Sequence, residues 1–248
     1  MSTTASFSHA AARPASITRA GKAFIAVFLI VVLEGAVRKW VASSATLPML
    51  LVRDLLAIYV IAYALRNGAL RRQKGITQAL LAWSCLVIAW GLLQLVVGES
   101  SPTVLLIGLR FWLLYIWFGV AAAATMNEAD YRAALRVAAW SLLLMAPLAV
   151  LQHFSPPGAR INNQIDGDES DIFLVIADVV RTTGTFSFTA GFTTYLALMA
   201  PLVFAVVGAR KRPGRQTLFA AALFAAFVVS SMVSGSRAAV ILSGLVIV

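Results

Sequence analysis

The apolar residues of this chain fall into long blocks of about twenty, separated by short polar segments. A block of that length crosses the hydrocarbon layer of a membrane as one α-helix. Because lipid offers no hydrogen-bonding partners, a spanning backbone must bond internally, either as a helix or within a closed barrel. The chain lacks the alternating segments of about ten residues that build a barrel. The sequence therefore predicts an all-α, polytopic transmembrane helical bundle.

About eight spans are predicted, near residues 23–42, 47–65, 76–97, 104–124, 132–152, 191–208, 217–235 and 237–248. They leave a cytoplasmic N-terminal tail over 1–22 and one long polar outer loop over 153–190, with spans in 23–152 and 191–248. Inside that loop, the apolar stretch 171–178 is too short to cross, and it predicts either a strand or a short helix on the membrane surface. Since residues 237–248 make a short span without a polar flank, we expect the protein to continue beyond them.

The basic residues predict the orientation of the bundle. Twenty residues are Lys or Arg, and thirteen of them fall on one side if the N-terminus is cytoplasmic: Arg13, Arg19, Lys22, Arg66, Arg71, Arg72, Lys74, Arg132, Arg136, Arg210, Lys211, Arg212 and Arg215. The short opposite loops, 42–46 and 98–103, contain none. By the positive-inside rule we expect a cytoplasmic N-terminus, and the acidic 153–190 loop then faces the other side, which is the periplasm in a Gram-negative cell.

Several classes of function find no support in the sequence. The net charge of +10 reflects this loop bias, and no nucleic-acid-binding motif accompanies it. The one cysteine, Cys85, lies in an apolar block, and the two histidines, His9 and His153, are too few and too far apart for a metal site. We therefore expect no metal and no cofactor. His153, at the edge of the outer loop, is interpreted as an interfacial residue.

The other seven basic residues all fall on the predicted outer side: Arg38, Lys39, Arg53, Arg110, Arg160, Arg181 and Arg237. Charges inside spans are costly and usually face a polar interior. Arginines from several spans at one level predict an electropositive cavity, and guanidinium groups suit phosphate because they donate paired hydrogen bonds. An anionic ligand at the outer face is the predicted partner.

Structural explanations for individual residues stay open beside this one. Glu34 and Arg38 are four positions apart and would pair on one helix face. Arg53 adjoins Asp54, but neighbours on a helix point apart, so each is expected to find another partner. Lys39 and Arg237, near helix ends, would reach the headgroups by snorkelling. The aromatic run 111–117 is interpreted as an interface belt facing lipid.

Three stretches carry a family resemblance: residues 34–40 (EGAVRKW) with 51–55 (LVRDL), residues 181–191 (RTTGTFSFTAG), and residues 234–239 (SGSRAA). In this order they resemble the O-antigen ligase and polymerase family of bacterial envelope glycosyltransferases. In that family a large periplasmic loop follows the third stretch, and we expect it to lie beyond Val248.

The resemblance implies a metal-independent enzyme that takes a glycan from undecaprenyl diphosphate and joins it to an acceptor glycan or a lipid A core. By analogy, Arg181 and Arg237 would bind the diphosphate, with Arg110, Arg53 and Arg38 lining the cavity. The general base stays unassigned, and polymerase and ligase are not distinguished. The alternatives are a transporter of an anionic lipid or glycan, and a non-catalytic membrane subunit of a polysaccharide-export system whose arginines bind membrane lipids.

Overall fold

A computed structural model of the protein describes residues 16–163, 175–176, 179–209, 214–236 and 241. The longer helices are α1 (Arg19–Trp40), α2 (Thr46–Arg66), α4 (Lys74–Val97), α7 (Glu128–Phe154), α8 (Thr189–Gly208) and α9 (Arg215–Val233). A short α3 (Ala69–Arg72) joins α2 to α4. Between α4 and α7 one continuous span consists of α5 (Pro102–Leu109), a π-helical turn (Arg110–Leu114) and α6 (Tyr115–Thr125).

Seven helical stretches within the described residues are long and apolar enough to cross a membrane. They match the first seven predicted spans, so the all-α polytopic bundle is confirmed, with helix ends that differ from the predictions by a few residues. The eighth predicted span, 237–248, lies outside the described residues except for Ile241. The end of the bundle at which α1 finishes is called the Trp40 end below.

Helices α1 and α7 each begin four residues before the predicted start, at Arg19 rather than 23 and at Glu128 rather than 132. Asn127 and Asp130 form a capping box that satisfies the first free amides of α7. The fully buried Asp130 carboxylate also accepts bonds of 2.7 Å from both the amide and the hydroxyl of Thr18. These bonds extend α7 beyond its apolar block and attach it to the start of α1.

Helix α1 lies at the centre of the described structure and packs into two apolar cores. Its first half joins α2, α3 and α6 around Val60, Leu70 and Phe118. Its second half joins α7, α8 and α9, where Val32 belongs to the same core as Leu142 and Phe192. Because both cores share α1, the ends of this helix fix how the two halves of the bundle meet.

The described part of the outer loop closes the Trp40 end. Val175–Ile176 and Val179–Val180 form a two-residue antiparallel pair, which favours the strand interpretation of this stretch over the helical one. Residues 164–174, which carry most of the acidic side chains of this loop, lie outside the described residues, as do residues 177–178. Residues 181–188, called the inserted loop below, then run between the ends of α1, α7 and α9 before α8 begins.

The inserted loop approaches α1 most closely at Gly35. A Cβ atom at this position would lie 2.3 Å from the Thr185 carbonyl oxygen and 2.5 Å from the Ser187 amide nitrogen. Both are backbone atoms, so a rotamer change cannot relieve the overlap. The absence of a side chain at Gly35 therefore permits the loop to lie against the helix.

We expect Gly35→Ala to lower the free energy of unfolding by about 1–3 kcal/mol, as other overpacking changes do. Thermal unfolding in detergent, followed by tryptophan fluorescence, measures this effect. Gly119→Ala is the matched control, because a Cβ atom there meets nothing within 4 Å. The control should leave stability unchanged or raise it by up to about 1 kcal/mol. Equal behaviour of the two variants would contradict the close approach.

Candidate anion-binding site

The cations at the Trp40 end divide into a paired group and an unpaired group. The paired group joins α1, α2 and the π-turn through Glu34, Arg53, Asp54, Arg110 and Tyr115. The four charged side chains are only 12–23% exposed. In this setting an ion pair is costly to break, because each partner would be left as an uncompensated charge.

Asp54 is the acceptor at the centre of the paired group. Arg110 donates to it through two nitrogens, with Nε–Oδ2 at 2.5 Å and Nη2–Oδ1 at 3.2 Å. The Tyr115 hydroxyl donates to the same carboxylate. Arg53, next to Asp54 in sequence, turns instead towards α1 and donates to Glu34 at 2.8 Å and to Tyr115 at 2.6 Å. The two neighbours thus make their closest ion pairs with different helices, as expected, although they share Tyr115 and also lie 3.9 Å apart from Nε to Oδ1.

The π-turn explains why both Arg110 and Tyr115 reach Asp54. In a regular α-helix, residues five apart point about 140° away from each other. A π-turn bonds residue i to residue i+5, so positions five apart come onto nearly the same face. The turn covers Arg110–Leu114 and ends immediately before Tyr115. One extra residue in the span therefore brings the guanidinium and the phenol to one carboxylate.

The unpaired group, whose members give no hydrogen bond to a carboxylate among the described residues, consists of Arg38, Lys39 and Arg181. Arg38 donates to the Ser187 hydroxyl at 3.3 Å, while its Nε is buried and has no acceptor among the described residues. The buried Nε of Arg181 also lacks an acceptor there, and its side chain passes Gly235 with Cγ 3.2 Å from where a Cβ would stand. Buried donors without acceptors are rare and call for an explanation such as a missing ligand.

Glu34 pairs with both Arg38 and Arg53. The predicted pair with Arg38 is present but long, with 3.9 Å between Nη1 of Arg38 and Oε1 of Glu34. The other Glu34 oxygen lies 2.8 Å from Arg53 and accepts its hydrogen bond. Among the described contacts Glu34 therefore accepts a hydrogen bond from Arg53 and none from Arg38.

Lys39 behaves differently from the snorkelling residue that the sequence suggested. It is 6% exposed, and its ammonium donates to the Thr183 hydroxyl at 2.9 Å and to the Gly184 carbonyl at 2.8 Å. Both acceptors are neutral oxygens in the inserted loop. The snorkelling interpretation is therefore wrong for Lys39. Because the loop covers the end of α1, the ammonium is bonded to loop oxygens and does not extend to the headgroups.

The inserted loop is fixed mainly through Gly184. The fully buried Gln152 accepts from the Gly184 amide at 2.7 Å and donates to its carbonyl at 3.1 Å. Thr182 donates to the Val233 carbonyl at the end of α9, and Thr185 donates to the Val32 carbonyl of α1. Gly184 has φ of +56°, a left-handed conformation that glycine adopts without strain. These bonds place Arg181 and Ser187 at defined positions.

The predicted site residues therefore have distinct places. Arg181 is the first residue of the inserted loop, and Arg38 bonds to Ser187 of that loop. Arg53 and Arg110 belong to the paired group, and Arg237 lies outside the described residues. His153 has one described polar contact, 3.3 Å from Nδ1 to the Val180 carbonyl. Within the described residues, no group of three or more acidic, histidine or cysteine side chains suits a metal ion.

Sequence reasoning missed three contributors to the site: Tyr115, Gln152 and the buried role of Lys39. The sequence places Tyr115 in an interface belt that faces lipid. Phe111 and Trp112 of that run are exposed, but the run lies at the middle of the span Pro102–Thr125, so the interfacial position is wrong. Gln152 did leave a signal, since an amide at the end of an apolar block needs a partner.

No match to this chain is found among protein family models, curated proteins or solved structures.

A double-mutant cycle tests the paired group. Asp54→Leu and Arg110→Leu should each lower the free energy of unfolding by about 3–5 kcal/mol, because each leaves one buried charge without its partner. The double variant should lose clearly less than the sum. Stability is measured by unfolding in mixed detergent micelles. An additive result would contradict the pairing.

The control cycle uses Glu128 and Arg132, which form an ion pair of 2.5 Å on the surface of α7 with side chains 79% and 66% exposed. Their coupling energy should be about 0.3–0.5 kcal/mol. This pair has the same charges as Asp54 and Arg110 but is exposed to water. The difference between the two coupling energies therefore measures the effect of burying the ion pair.

Proposed function

We propose that this protein is a membrane glycosyltransferase-type protein that joins an undecaprenyl-diphosphate-linked glycan to an acceptor sugar at the periplasmic face of a bacterial inner membrane. One observation carries the proposal: two arginines beside the same loop bury guanidinium N–H groups that have no acceptor among the described residues. Arg38 and Arg181 would bind the diphosphate. Arg237 would join them if the family resemblance holds.

The chemistry needs a site of this kind. An acceptor hydroxyl oxygen forms a bond to the anomeric carbon of the donor glycan while the bond from that carbon to the diphosphate oxygen breaks. The electron pair leaves with the diphosphate, and the hydroxyl proton passes to a base that is not yet assigned. Negative charge increases on the leaving diphosphate, where positioned N–H donors stabilise it more than they stabilise the bound donor.

The paired group supports this role without binding the ligand itself. Arg53 and Arg110 donate to Glu34 and Asp54, so they contribute structure to the wall of the site. By binding Glu34, Arg53 reduces the competition of that carboxylate with a phosphate for Arg38. Three cations next to the loop, Arg38, Lys39 and Arg181, give no hydrogen bond to a carboxylate among the described residues, and their summed charge favours a ligand with more than one negative charge.

We expect Arg38→Ala and Arg181→Ala each to reduce polymerised or ligated surface polysaccharide by about tenfold or more, the effect of losing about 1.4 kcal/mol or more of transition-state stabilisation. Arg→Lys at the same positions should restore part of the product, because an ammonium retains charge but not the bidentate geometry. The assay compares glycan length and amount on gels from cells carrying the full-length gene, at equal membrane protein levels.

Arg160→Ala is the matched control. Arg160 is exposed at the same end of the bundle, and no ion pair to it occurs within the described residues. Its replacement should leave the glycan unchanged. Normal glycan with both Arg38 and Arg181 replaced would rule out the enzyme. Lipid-linked repeat units retained on the cytoplasmic face would instead indicate a transporter, and a cytoplasmic 153–190 segment in reporter fusions would overturn the assigned side.

A further inference from the structure

A groove between two spans is not used by the proposed site. It runs between α4 and the α5–π segment as two adjoining cavities of about 220 and 320 Å³ that share Val87, Trp90 and Trp112. The two walls touch at Gly91, where a Cβ would lie 2.4 Å from Leu105 Cδ1. All residues that line both cavities belong to the described part of the chain.

The groove has three indoles, and two of them lie far from the membrane surfaces. Trp83 is nine residues into α4 and Trp112 ten residues beyond Pro102. At 1.5 Å per residue each is about 14–15 Å from the end of its span, which is near the middle of a hydrocarbon layer of about 30 Å. Membrane tryptophans usually occupy the two interfaces instead, so an interfacial role does not explain these two.

The indoles form a rigid apolar surface. The Trp83 Nε1 donates to the Trp112 carbonyl at 3.2 Å, and the two ring centroids are 6.1 Å apart. With its N–H group satisfied, Trp83 presents no unpaired donor to the hydrocarbon. Trp90 continues the same surface towards the α4–α5 turn and is 62% exposed. In lipid, such preformed surfaces gain affinity from close packing rather than from exclusion of water.

The two ends of the groove differ in polarity. Gln94 and Ser100 line the cavity near the α4–α5 turn, at the level of the headgroups, whereas Trp83 and Leu86 line the deep end. Gln94 and Trp83 are eleven residues apart on α4, which corresponds to about 16 Å. This length matches the depth of one leaflet, about 15 Å.

From this match we propose that the groove binds one acyl chain of a phospholipid from the leaflet at the α4–α5 turn, with the glycerol or headgroup oxygens at Gln94 and Ser100. The length selects the occupant. A phospholipid chain ends within its own leaflet, as this groove does, whereas a polyisoprenoid of many units would extend well past Trp83. The site is separate from the unpaired cations and does not depend on the proposed reaction.

The test fills the groove from one wall. Gly108 lines the smaller cavity, the one that contains Gln94 and Ser100. A Cβ atom there meets nothing within 4 Å, so Gly108→Leu extends into the empty space. Gly119→Leu is the matched control, since Gly119 is equally unobstructed and belongs to the same span but does not line the groove. The full chain is placed in nanodiscs that contain phosphatidylethanolamine with a diazirine on one acyl chain, and cross-linked peptides are mapped by mass spectrometry.

We expect labelling to concentrate on residues 83–112 and to fall about fivefold or more in Gly108→Leu, while Gly119→Leu labels like the unmodified protein. Trp90→Ala provides a second variant that removes a wall instead of filling the space, and it should also reduce labelling. Uniform labelling of all spans, or no change in both groove variants, would overturn the proposal. Native mass spectrometry supplies the identity: a retained phospholipid supports it, and a retained polyisoprenyl phosphate overturns the assigned occupant.

Discussion

The Gly184 peptide groups are bonded by side chains from two different spans, Lys39 from α1 and Gln152 from α7. Buried backbone groups need partners, and in a loop without neighbouring strands those partners have to be side chains. Gln152 reproduces with one amide the pair of bonds that an adjacent strand would supply. The rest of the Trp40 end follows from this contact, because Arg181 precedes it and Ser187, the acceptor for Arg38, comes after it.

Carboxylates at the Trp40 end decide which cations remain available. Glu34 and Asp54 are engaged by Arg53 and Arg110, and Lys39 is bonded to neutral loop oxygens. A buried N–H donor without an acceptor is expensive to maintain, so its presence favours a role with a ligand. Arg38 and Arg181 are only partly buried, but the Nε of each is such a donor among the described residues. The division into structural and available arginines rests on these contacts and not on sequence position.

The seven spans were predictable because the signal for a transmembrane helix is local: a sufficient run of apolar residues with charges at its ends. That Arg38, Arg53 and Arg110 lie at one end of the bundle was predictable for the same reason. Which arginine meets which carboxylate was not, since that depends on how each helix is rotated about its axis. A further obstacle was the π-turn, which changes this rotation halfway along a span and has no evident sequence signature.

The π-turn also divides its span into two segments with different neighbours. The segment before the turn, α5, packs against α4, whereas the segment after it, α6, belongs to the core around Val60 and Phe118. Helix α4 contacts the turn itself and also α6, because Trp117 donates to the Ser84 hydroxyl at 2.9 Å. At the turn Arg110 is bonded to Asp54 on α2, and Arg53, next to Asp54, is bonded to Glu34 on α1. Contacts therefore run without a break from the helix that forms one wall of the groove to α1.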